Sequence, residues 1–295
     1  MSRPDGAALV GKRGWLFPCD GGGAAPQPPG SSSFSAEQVE RRCEELGERR
    51  RRLRTLRTPY VFAVAPRKER VYERFLPDGM ALEADRLVRR ANVLLRDKND
   101  GEILDLLPAL RAGRRAARVF PRTDSAWSDR GAFFAYRQLA KETGKCLIDL
   151  GEPLLPGEGR FVGRGSFRGD LAEKPKLTFA EGRLSPPEGE DRSWEEEIDV
   201  ADVSELRSLR MPAPEHLEVT PGQAPHLYEI ADAPNLRRAV LVGDACCLGL
   251  IPWLAEHFRR FVFLRSVELP FEAIELEAPD VVIHVLSERQ LVNAP

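Results

Sequence analysis

The chain has 295 residues, of which 42% are hydrophobic, so it is long enough to bury a large core and is not a disordered protein. Charged residues make up 31% of the sequence, but the formal net charge is only -2, which gives no electrostatic reason to expect binding to nucleic acid or to an anionic membrane. The apolar runs are far shorter than the roughly 20 residues that a membrane-spanning helix needs.

The N-terminus contains no apolar signal segment, which predicts a cytoplasmic protein. The five cysteines are scattered and form no CxxC pair, so we expect reduced thiols rather than a zinc site. No motif in the chain indicates a cofactor or a metal ion, and we predict neither.

The first 35 residues are expected to form a tail outside the main domain. We expect residues 1–10 to be frayed, residues 11–17 to form a short strand or hairpin arm, and residues 20–33 to form a flexible loop, because that stretch consists mostly of Gly, Ala, Pro, Gln and Ser. A helix should then begin at Ser35, since Ser35 and Gln38 have the spacing of a capping box.

The next part of the chain alternates apolar runs with amphipathic segments. Residues 60–65 form a continuous apolar run, which is typical of a strand buried on both faces. The other predicted elements here are a helical turn at 67–75, helices at 82–95 and 131–143, and short strands at 103–106 and 146–150.

Residues 151–235 are rich in Gly, Pro and charge, which predicts an irregular insertion with one or two small strands. Regular alternation returns afterwards, with predicted strands at 238–242, 261–265 and 280–286 and a helix at 248–258. Strands that alternate with helices favour a mainly parallel sheet covered on both faces. We therefore expect residues 36–295 to form a single α/β domain, a three-layer α/β/α sandwich that carries the insertion.

Gly243, Asp244 and Ala245 form a turn between a predicted strand and the helix that follows it. In parallel sheets, such turns at the carboxyl ends of strands are where ligands collect. A serine at position 245 would lie near a helix N-terminus, where backbone N–H groups can stabilise an oxyanion. The sequence has alanine there, so this turn lacks a nucleophile.

A second segment contains Asp124, Ser125 and Ala126, followed by Trp127. A histidine two residues after an acid could act as a base toward a nucleophilic serine, with the acid orienting the imidazole. Asp124 supplies the acid, but Ala126 stands where the histidine would be. The segment therefore lacks the base of a catalytic triad.

Six short motifs, in this order, resemble those of the alginate O-acetyltransferase family, the AlgX and AlgJ type of SGNH hydrolase-like proteins. They are residues 11–17 (G-K-D-G-W-L-F in the family), 64–77 (P-x-K-x-x-V-Y-P…L-P), 123–132 (T-D-T-H-W-x-x-x-G-A), 169–171 (G-D-L), 243–245 (G-D-S) and 279–289 (P-D-V-V…E-R). The resemblance implies an α/β/α fold and a Ser-His-Asp triad that transfers acetyl groups to polysaccharide hydroxyls. By position, Asp124 matches the triad acid, Ala126 replaces the histidine and Ala245 replaces the serine.

These replacements favour a non-catalytic binding or scaffold protein related to polysaccharide acetylation. We expect either a carbohydrate or acyl ligand or a protein partner. Ser125, Trp127 and Asp244 are the candidate binding residues beside the two vacant positions.

The alternative is an active acyltransferase or esterase on a carbohydrate substrate, with relocated chemistry. Cys246 follows the vacant position 245 near a helix N-terminus, where the pKa of a thiol can be lowered. His226 or His284 would supply the base or bind the ligand if either faced the cleft. A third possibility is an assembly protein that uses another surface, such as the arginine run at 49–52.

Overall fold

The computed structural model describes residues 6–20, 27–29, 35–82, 86–98, 100–155, 160–186 and 193–293. The strands are β1 (Ala8–Val10), β2 (Leu16–Pro18), β3 (Tyr60–Ala65), β4 (Leu104–Asp105), β5 (Phe161–Phe167), β6 (Lys176–Ala180), β7 (Arg183–Ser185), β8 (Glu196–Ala201), β9 (Leu209–Met211), β10 (His226–Glu229), β11 (Arg237–Gly243), β12 (Phe258–Arg265) and β13 (Val281–Ser287). The α-helices are α1 (Ala36–Thr55), α2 (Lys68–Val71), α3 (Leu87–Asp97), α4 (Leu107–Gly113), α5 (Asp129–Gly144), α6 (Ile251–Ala255), α7 (Phe271–Glu277) and α8 (Glu288–Asn293).

The central sheet has seven strands in the order β4-β3-β13-β11-β12-β10-β9. The first five run parallel to one another, and β10 and β9 extend the sheet in antiparallel pairing. Alternate residues of each strand face opposite sides. Ala63 and Leu241 belong to the core that includes α5 and α6, whereas Val64 packs with α1 and α3. Helices on both faces give the predicted three-layer α/β/α architecture, which is confirmed.

Helix α1 begins as its sequence predicts. The Ser35 hydroxyl accepts a hydrogen bond from the Gln38 backbone N–H at 3.1 Å, and the Gln38 side chain accepts one from the Ser35 N–H at 2.9 Å. This reciprocal pair satisfies two of the N–H groups that a helix start leaves free.

The N-terminal segment is more ordered than predicted. β1 pairs antiparallel with β2 and parallel with β6, within a four-stranded sheet of order β2-β1-β6-β7. The expectation of frayed residues up to position 10 is therefore wrong for Ala8–Val10, because the insertion supplies a pairing strand and these residues are largely buried. Residues 1–5 and most of the predicted loop at 20–33 lie outside the described residues, although Asp20 is buried and forms a bridge to Gln27.

The insertion is also more regular than its composition indicates. Its described residues contain six strands, β5 to β10, rather than the one or two predicted. β5 and β8 form a separate antiparallel pair, β6 and β7 complete the N-terminal sheet, and β9 and β10 join the central sheet. Strands of this kind are hard to recognise because few of their residues are buried, so the sequence has no clear apolar pattern.

Two further predictions are wrong in detail. The strand predicted at 146–150 is a 3-10 turn, Ile148–Leu150, because its backbone groups bond to nearby partners rather than to a neighbouring strand. The helix predicted at 248–258 is a 3-10 segment, Ala245–Leu250, followed by the short α6, and Phe258 already begins β12. Pro252 lies at the junction, where it is tolerated as one of the first residues of a helix.

Within the part of the chain described above, no helix combines the length and the apolar character that crossing a bilayer requires.

Candidate functional site

A cavity of about 470 Å³ opens at the carboxyl ends of the central parallel strands. Its walls come from residues that follow β3, β11, β12 and β13, from the segment before α5, and from Thr220 and Gln223 of the insertion. Ala126 and Ala245 both line this cavity, and both are exposed. The structure therefore brings the two vacant positions to the same cleft, from segments more than 100 residues apart in sequence.

The turn after β11 is shaped by close packing and by one carboxylate. A Cβ atom on Gly243 would lie 2.2 Å from the backbone oxygen of Val285 and 2.4 Å from the sulfur of Cys247, so the strand end has no room for a side chain. Asp244 then accepts hydrogen bonds from the backbone N–H groups of Cys246 at 2.8 Å and Ser287 at 2.9 Å. Asp244 thus joins the turn to the end of the neighbouring strand β13.

The carboxylate of Asp124 is also used by the backbone. Its Oδ1 accepts from the Ala126 N–H at 2.8 Å, and its Oδ2 accepts from the Asp170 N–H at 3.3 Å. Burial, followed by the nearby charge of Asp170, raises the pKa of Asp124. Asp170 in turn accepts from the N–H and the hydroxyl of Ser125, at 2.6 and 2.8 Å. Both carboxylates therefore shape the loop that carries the vacant base position.

Thr123, directly before the acid, is bonded to a buried glutamate. The Thr123 N–H and hydroxyl both donate to Glu196 at 2.8 Å, and the same hydroxyl accepts from the Gly169 N–H at 3.0 Å. Burial acts to raise the pKa of Glu196, but hydrogen bonds from Arg122 and Thr123 and the charge of Arg118 lower it overall. Glu196 is thus an ionised anchor for this segment.

Lys68 holds the segment around Thr123 through hydrogen bonds to its backbone. Its side chain is buried, and its Nζ donates to the backbone oxygens of Arg122 and Asp124, each at 2.8 Å. The ammonium group also lies 5.3 Å from the centre of the Trp15 ring. Burial lowers the pKa of Lys68 to about 7. This side chain lines the cavity and holds the acid-bearing segment against the N-terminal strands.

Cys246 lines the cavity beside Ala245 and is partly buried. Its hydrogen bond with Cys247, its burial and the nearby charge of Asp244 all raise its pKa well above the ordinary value. A thiol in this environment stays protonated near neutral pH and is a poor nucleophile. The local environment has the opposite effect to the one that the helix N-terminus predicted.

Neither histidine proposed as a base or ligand residue lines the cavity. His284 is fully buried in β13, bonded to the Tyr60 hydroxyl at 2.9 Å and the Val267 oxygen at 3.1 Å, and burial lowers its pKa to about 3. His226 is not folded over the cleft, because it belongs to β10, which pairs with β12, and its ring packs against Phe263.

The two remaining histidines are bonded to residues outside the cavity. His216 pairs with Glu277 at 2.9 Å, and His257 bonds to the Tyr136 hydroxyl at 2.7 Å and the Leu150 oxygen at 3.0 Å. None of the four histidines of the chain therefore faces the two vacant positions.

Ser125, Trp127 and Asp244 line the cavity, whereas Asp124 does not. That these three residues bind a ligand stays a prediction. Sequence reasoning gave no role to Lys68 or to Glu196. Lys68 lies within one of the six family-like motifs, which was a usable signal. Glu196 is one of three consecutive glutamates, and nothing in the sequence distinguishes it from its neighbours.

Comparison with solved structures supports the same fold. The chain is similar to PatB1 of Bacillus cereus, with 13% identity, a TM-score of 0.63 and coverage of 97% of each chain. It is similar to the O-acetyltransferase domain of Pseudomonas putida AlgJ, with 17% identity, a TM-score of 0.58 and coverage of 98% of this chain and 93% of that one. A DHHW family protein from Eubacterium siraeum has 13% identity, a TM-score of 0.56 and coverage of 97% and 95%.

No curated protein sequence matches this chain at a significant level. Residues 8–206, however, match the family described as the SGNH hydrolase-like domain of the acetyltransferase AlgX. The matched region covers more than half of the chain and includes the segment around Asp124. The chain therefore belongs to the AlgX family of SGNH hydrolase-like acetyltransferase domains.

Proposed function

We propose that this protein is a non-catalytic member of its family that binds a carbohydrate or acyl ligand in the retained cleft. The observation that carries the proposal is the pair of exposed methyl groups, Ala126 and Ala245, on one cavity. These are the positions at which the family resemblance places the base and the nucleophile. Loss of both groups removes nearly all of the rate acceleration that a triad provides.

The position of Asp124 supports this proposal, because its retention has a structural explanation. The carboxylate satisfies two backbone N–H groups of the cavity wall. Both of these N–H groups belong to exposed residues, where such a hydrogen bond contributes about 0.5–1.5 kcal/mol to stability. Selection for folding alone would therefore keep the acid after the chemistry was lost.

The surroundings of Cys246 weigh against relocated chemistry. Hydrogen bonding with Cys247, together with burial, raises its pKa, and no histidine of the chain lines the cavity to deprotonate it. A thiol nucleophile needs a lowered pKa or an adjacent base. The Lys68 amine of the cavity wall is bonded to the backbone oxygens of Arg122 and Asp124 rather than to this thiol.

The open cavity favours ligand binding over a purely structural role. Its volume falls within the range of about 300–1,000 Å³ that is usual for small-molecule sites. The walls combine the aromatic rings of Phe120 and Trp127 with the side-chain amides of Gln223 and Gln290. Aromatic faces with a few polar groups suit the two faces of a sugar, one apolar and the other lined with hydroxyls.

The direct experiment restores both groups with the double variant Ala126→His and Ala245→Ser. We expect hydrolysis of 4-nitrophenyl acetate to rise about 100-fold or more above the wild type, as a positioned base and nucleophile provide. The two single variants are the matched controls and should stay near the wild-type rate.

The proposal would be contradicted by a wild-type protein that already turns over the ester at a rate that Asp124→Asn abolishes. A double variant that folds normally and stays inactive would show that the cleft no longer has the geometry of the family, and would remove the support drawn from positions 126 and 245.

A further inference from the structure

A second cavity, of about 520 Å³, lies between the β5–β8 ribbon and the segment that leads into α5. The residues that line this ribbon cavity are 163–165 of β5, 197–199 of β8, Arg118, Pro121 and Ser128. None of them lines the cleft, although Phe120 and Trp127 of the same segment do. The ribbon cavity is therefore a separate space.

The ribbon that forms one wall of this cavity is bent by an extra residue. Among the described strands, β5 and β8 pair only with each other. Arg164 lies opposite Ile198 and Phe167 lies opposite Glu196, so three steps along β5 match two along β8. Ser166, within this β-bulge, has a left-handed backbone with a φ of 47°. Bulges bend a strand and are frequent next to active sites, which makes the distortion consistent with a binding site.

Two glycines of β5 leave the ribbon cavity open. Gly163 and Gly165 both line it, and neither has the positive φ at which glycine is favoured. A Cβ atom at either position would meet no atom within 4 Å, whereas one on Gly131 would lie 2.1 Å from the backbone oxygen of Val119. Neither backbone conformation nor close packing therefore explains glycine at 163 and 165. A side chain at these positions would instead take up the space of the cavity.

The free charged groups of the ribbon cavity have opposite signs. The side chains of Arg164 and Glu197 are exposed, and neither forms a hydrogen bond or an ion pair with the residues that the structure describes. The cavity thus offers one set of donors and one set of acceptors, and their charges cancel. Its other two charged side chains are already paired, Arg118 with Glu196 and Asp199 with Arg130.

We infer that the ribbon cavity binds a neutral saccharide unit, with Arg164 and Glu197 bonded to its hydroxyl groups. A hydroxyl both donates and accepts, so one sugar ring can satisfy the guanidinium and the carboxylate without bringing a net charge. The bare backbone at Gly163 and Gly165 allows the C–H face of a ring to approach closely. This site is distinct from the cleft and goes beyond the proposed function.

The test measures the binding of three neutral trisaccharides, cellotriose, maltotriose and chitotriose, by ligand-observed NMR titration. We expect at least one of them to bind the wild type. Gly163→Val and Gly165→Val add a side chain that strands favour, so both variants should fold, as thermal unfolding can verify. Each should weaken binding about tenfold or more, a loss of about 1.4 kcal/mol. Gly144→Val is the matched control, because a Cβ there also meets no atom and Gly144 does not line the cavity.

Removing either free charge should have a smaller effect on binding. Arg164→Gln and Glu197→Gln should each weaken it about threefold to tenfold, because a hydrogen bond to a charged group becomes one between neutral groups. Arg183→Gln is the control, since Arg183 is exposed on β7 and does not line the cavity. Ala126→Phe obstructs the cleft and should leave binding in the ribbon cavity unchanged.

The outcomes separate this inference from the proposed function. Weaker binding in both glycine variants, with normal binding in Ala126→Phe, supports the inference. Binding that only Ala126→Phe removes would place the trisaccharide in the cleft, which overturns the inference and leaves the proposed function standing. The inference also fails if no trisaccharide binds the wild type, or if the zwitterion glycylglycine binds more tightly than the sugars and the glycine variants weaken it. The restored double variant tests the proposed function independently.

Discussion

The acid-bearing segment, residues 122–127, and the nucleophile turn, residues 243–246, have each lost one reacting side chain but are fixed in different ways. The acid-bearing segment has little regular structure and is held from outside by Lys68, Glu196 and Asp170. The nucleophile turn is held mainly from within the sheet, by the packing of Gly243 and by the carboxylate of Asp244.

This difference explains how the cleft can keep its shape without the two reacting side chains. The side chains that fix both segments are distinct from the two that would react, so replacing a histidine and a serine with alanine leaves the supporting contacts intact. Asp124 supports the loop through its hydrogen bonds, and by resemblance it also matches the triad acid of the family. The comparison predicts that the supporting residues carry stability, whereas positions 126 and 245 do not.

The largest expected effect comes from adding one methyl group to Gly243 of the nucleophile turn or to Gly169, which packs against the acid-bearing segment. A Cβ on Gly243 would lie 2.2 Å from the oxygen of Val285, and a Cβ on Gly169 would lie 2.5 Å from the backbone of Thr123. Gly243→Ala and Gly169→Ala should each lower the free energy of unfolding by about 3 kcal/mol, measured by urea denaturation. Gly144→Ala is the control, because a Cβ there meets no atom within 4 Å. A cost below that of the control would show that neither segment is closely packed.

Removing either carboxylate should have the next largest effect. Asp244→Ala leaves two half-buried backbone N–H groups without their acceptor, at a cost of about 2 kcal/mol in unfolding free energy. Asp124→Ala removes the acceptor of the exposed N–H groups of Ala126 and Asp170, which can bond to water instead, so we expect a cost of about 1 kcal/mol. Asp124→Asn and Asp244→Asn keep one acceptor oxygen and should cost less. If Asp124→Ala proved neutral while Asp244→Ala did not, the structural explanation for keeping Asp124 would fail.

Lys68 should make stability depend on pH. Burial lowers its pKa from 10.5 to about 7, so between these values the unfolded chain binds a proton that the folded protein does not. The free energy of unfolding should therefore increase as the pH is raised from about 7 to about 10. Lys68→Met should flatten this slope in chemical denaturation at several pH values. An unchanged slope in the variant would assign the dependence to other groups.

The smallest effect concerns Cys246, which we expect to be inert. Because its pKa is raised well above the ordinary value, iodoacetamide should modify it at least about tenfold more slowly than the exposed Cys146 at pH 7.5, as followed by peptide mass spectrometry. The Cys146→Ala variant lacks the exposed, faster-reacting thiol, so the slow modification of Cys246 is easier to assign. Faster modification of Cys246 than of Cys146 would support the alternative in which Cys246 is a relocated nucleophile.

The sequence predicts the central sheet well because its strands have a strong signal. Residues 60–65 and 281–287 are nearly continuous apolar runs, as strands buried on both faces should be. The two turns with vacant positions could also be located, because short motifs mark them. Most strands of the insertion could not be predicted, since few of their residues are buried and the apolar pattern is weak.

The surroundings of the site could not be predicted from the sequence, for a different reason. Whether His284 faces a cleft or the core depends on the strand register, and a shift of one residue reverses the answer. The effect of Cys247 on the pKa of Cys246, and the choice of Glu196 among three glutamates, depend on contacts between distant segments. Propensity and periodicity carry no information about such contacts.

The most direct test of the central claim is the turnover of 4-nitrophenyl acetate by the wild type, Asp124→Asn and Cys246→Ala, each compared with buffer alone. We predict that the three proteins are indistinguishable from one another and show no saturable turnover, because alanine stands at both the nucleophile and the base position. Saturable wild-type turnover that falls about 100-fold or more in either variant would contradict the account.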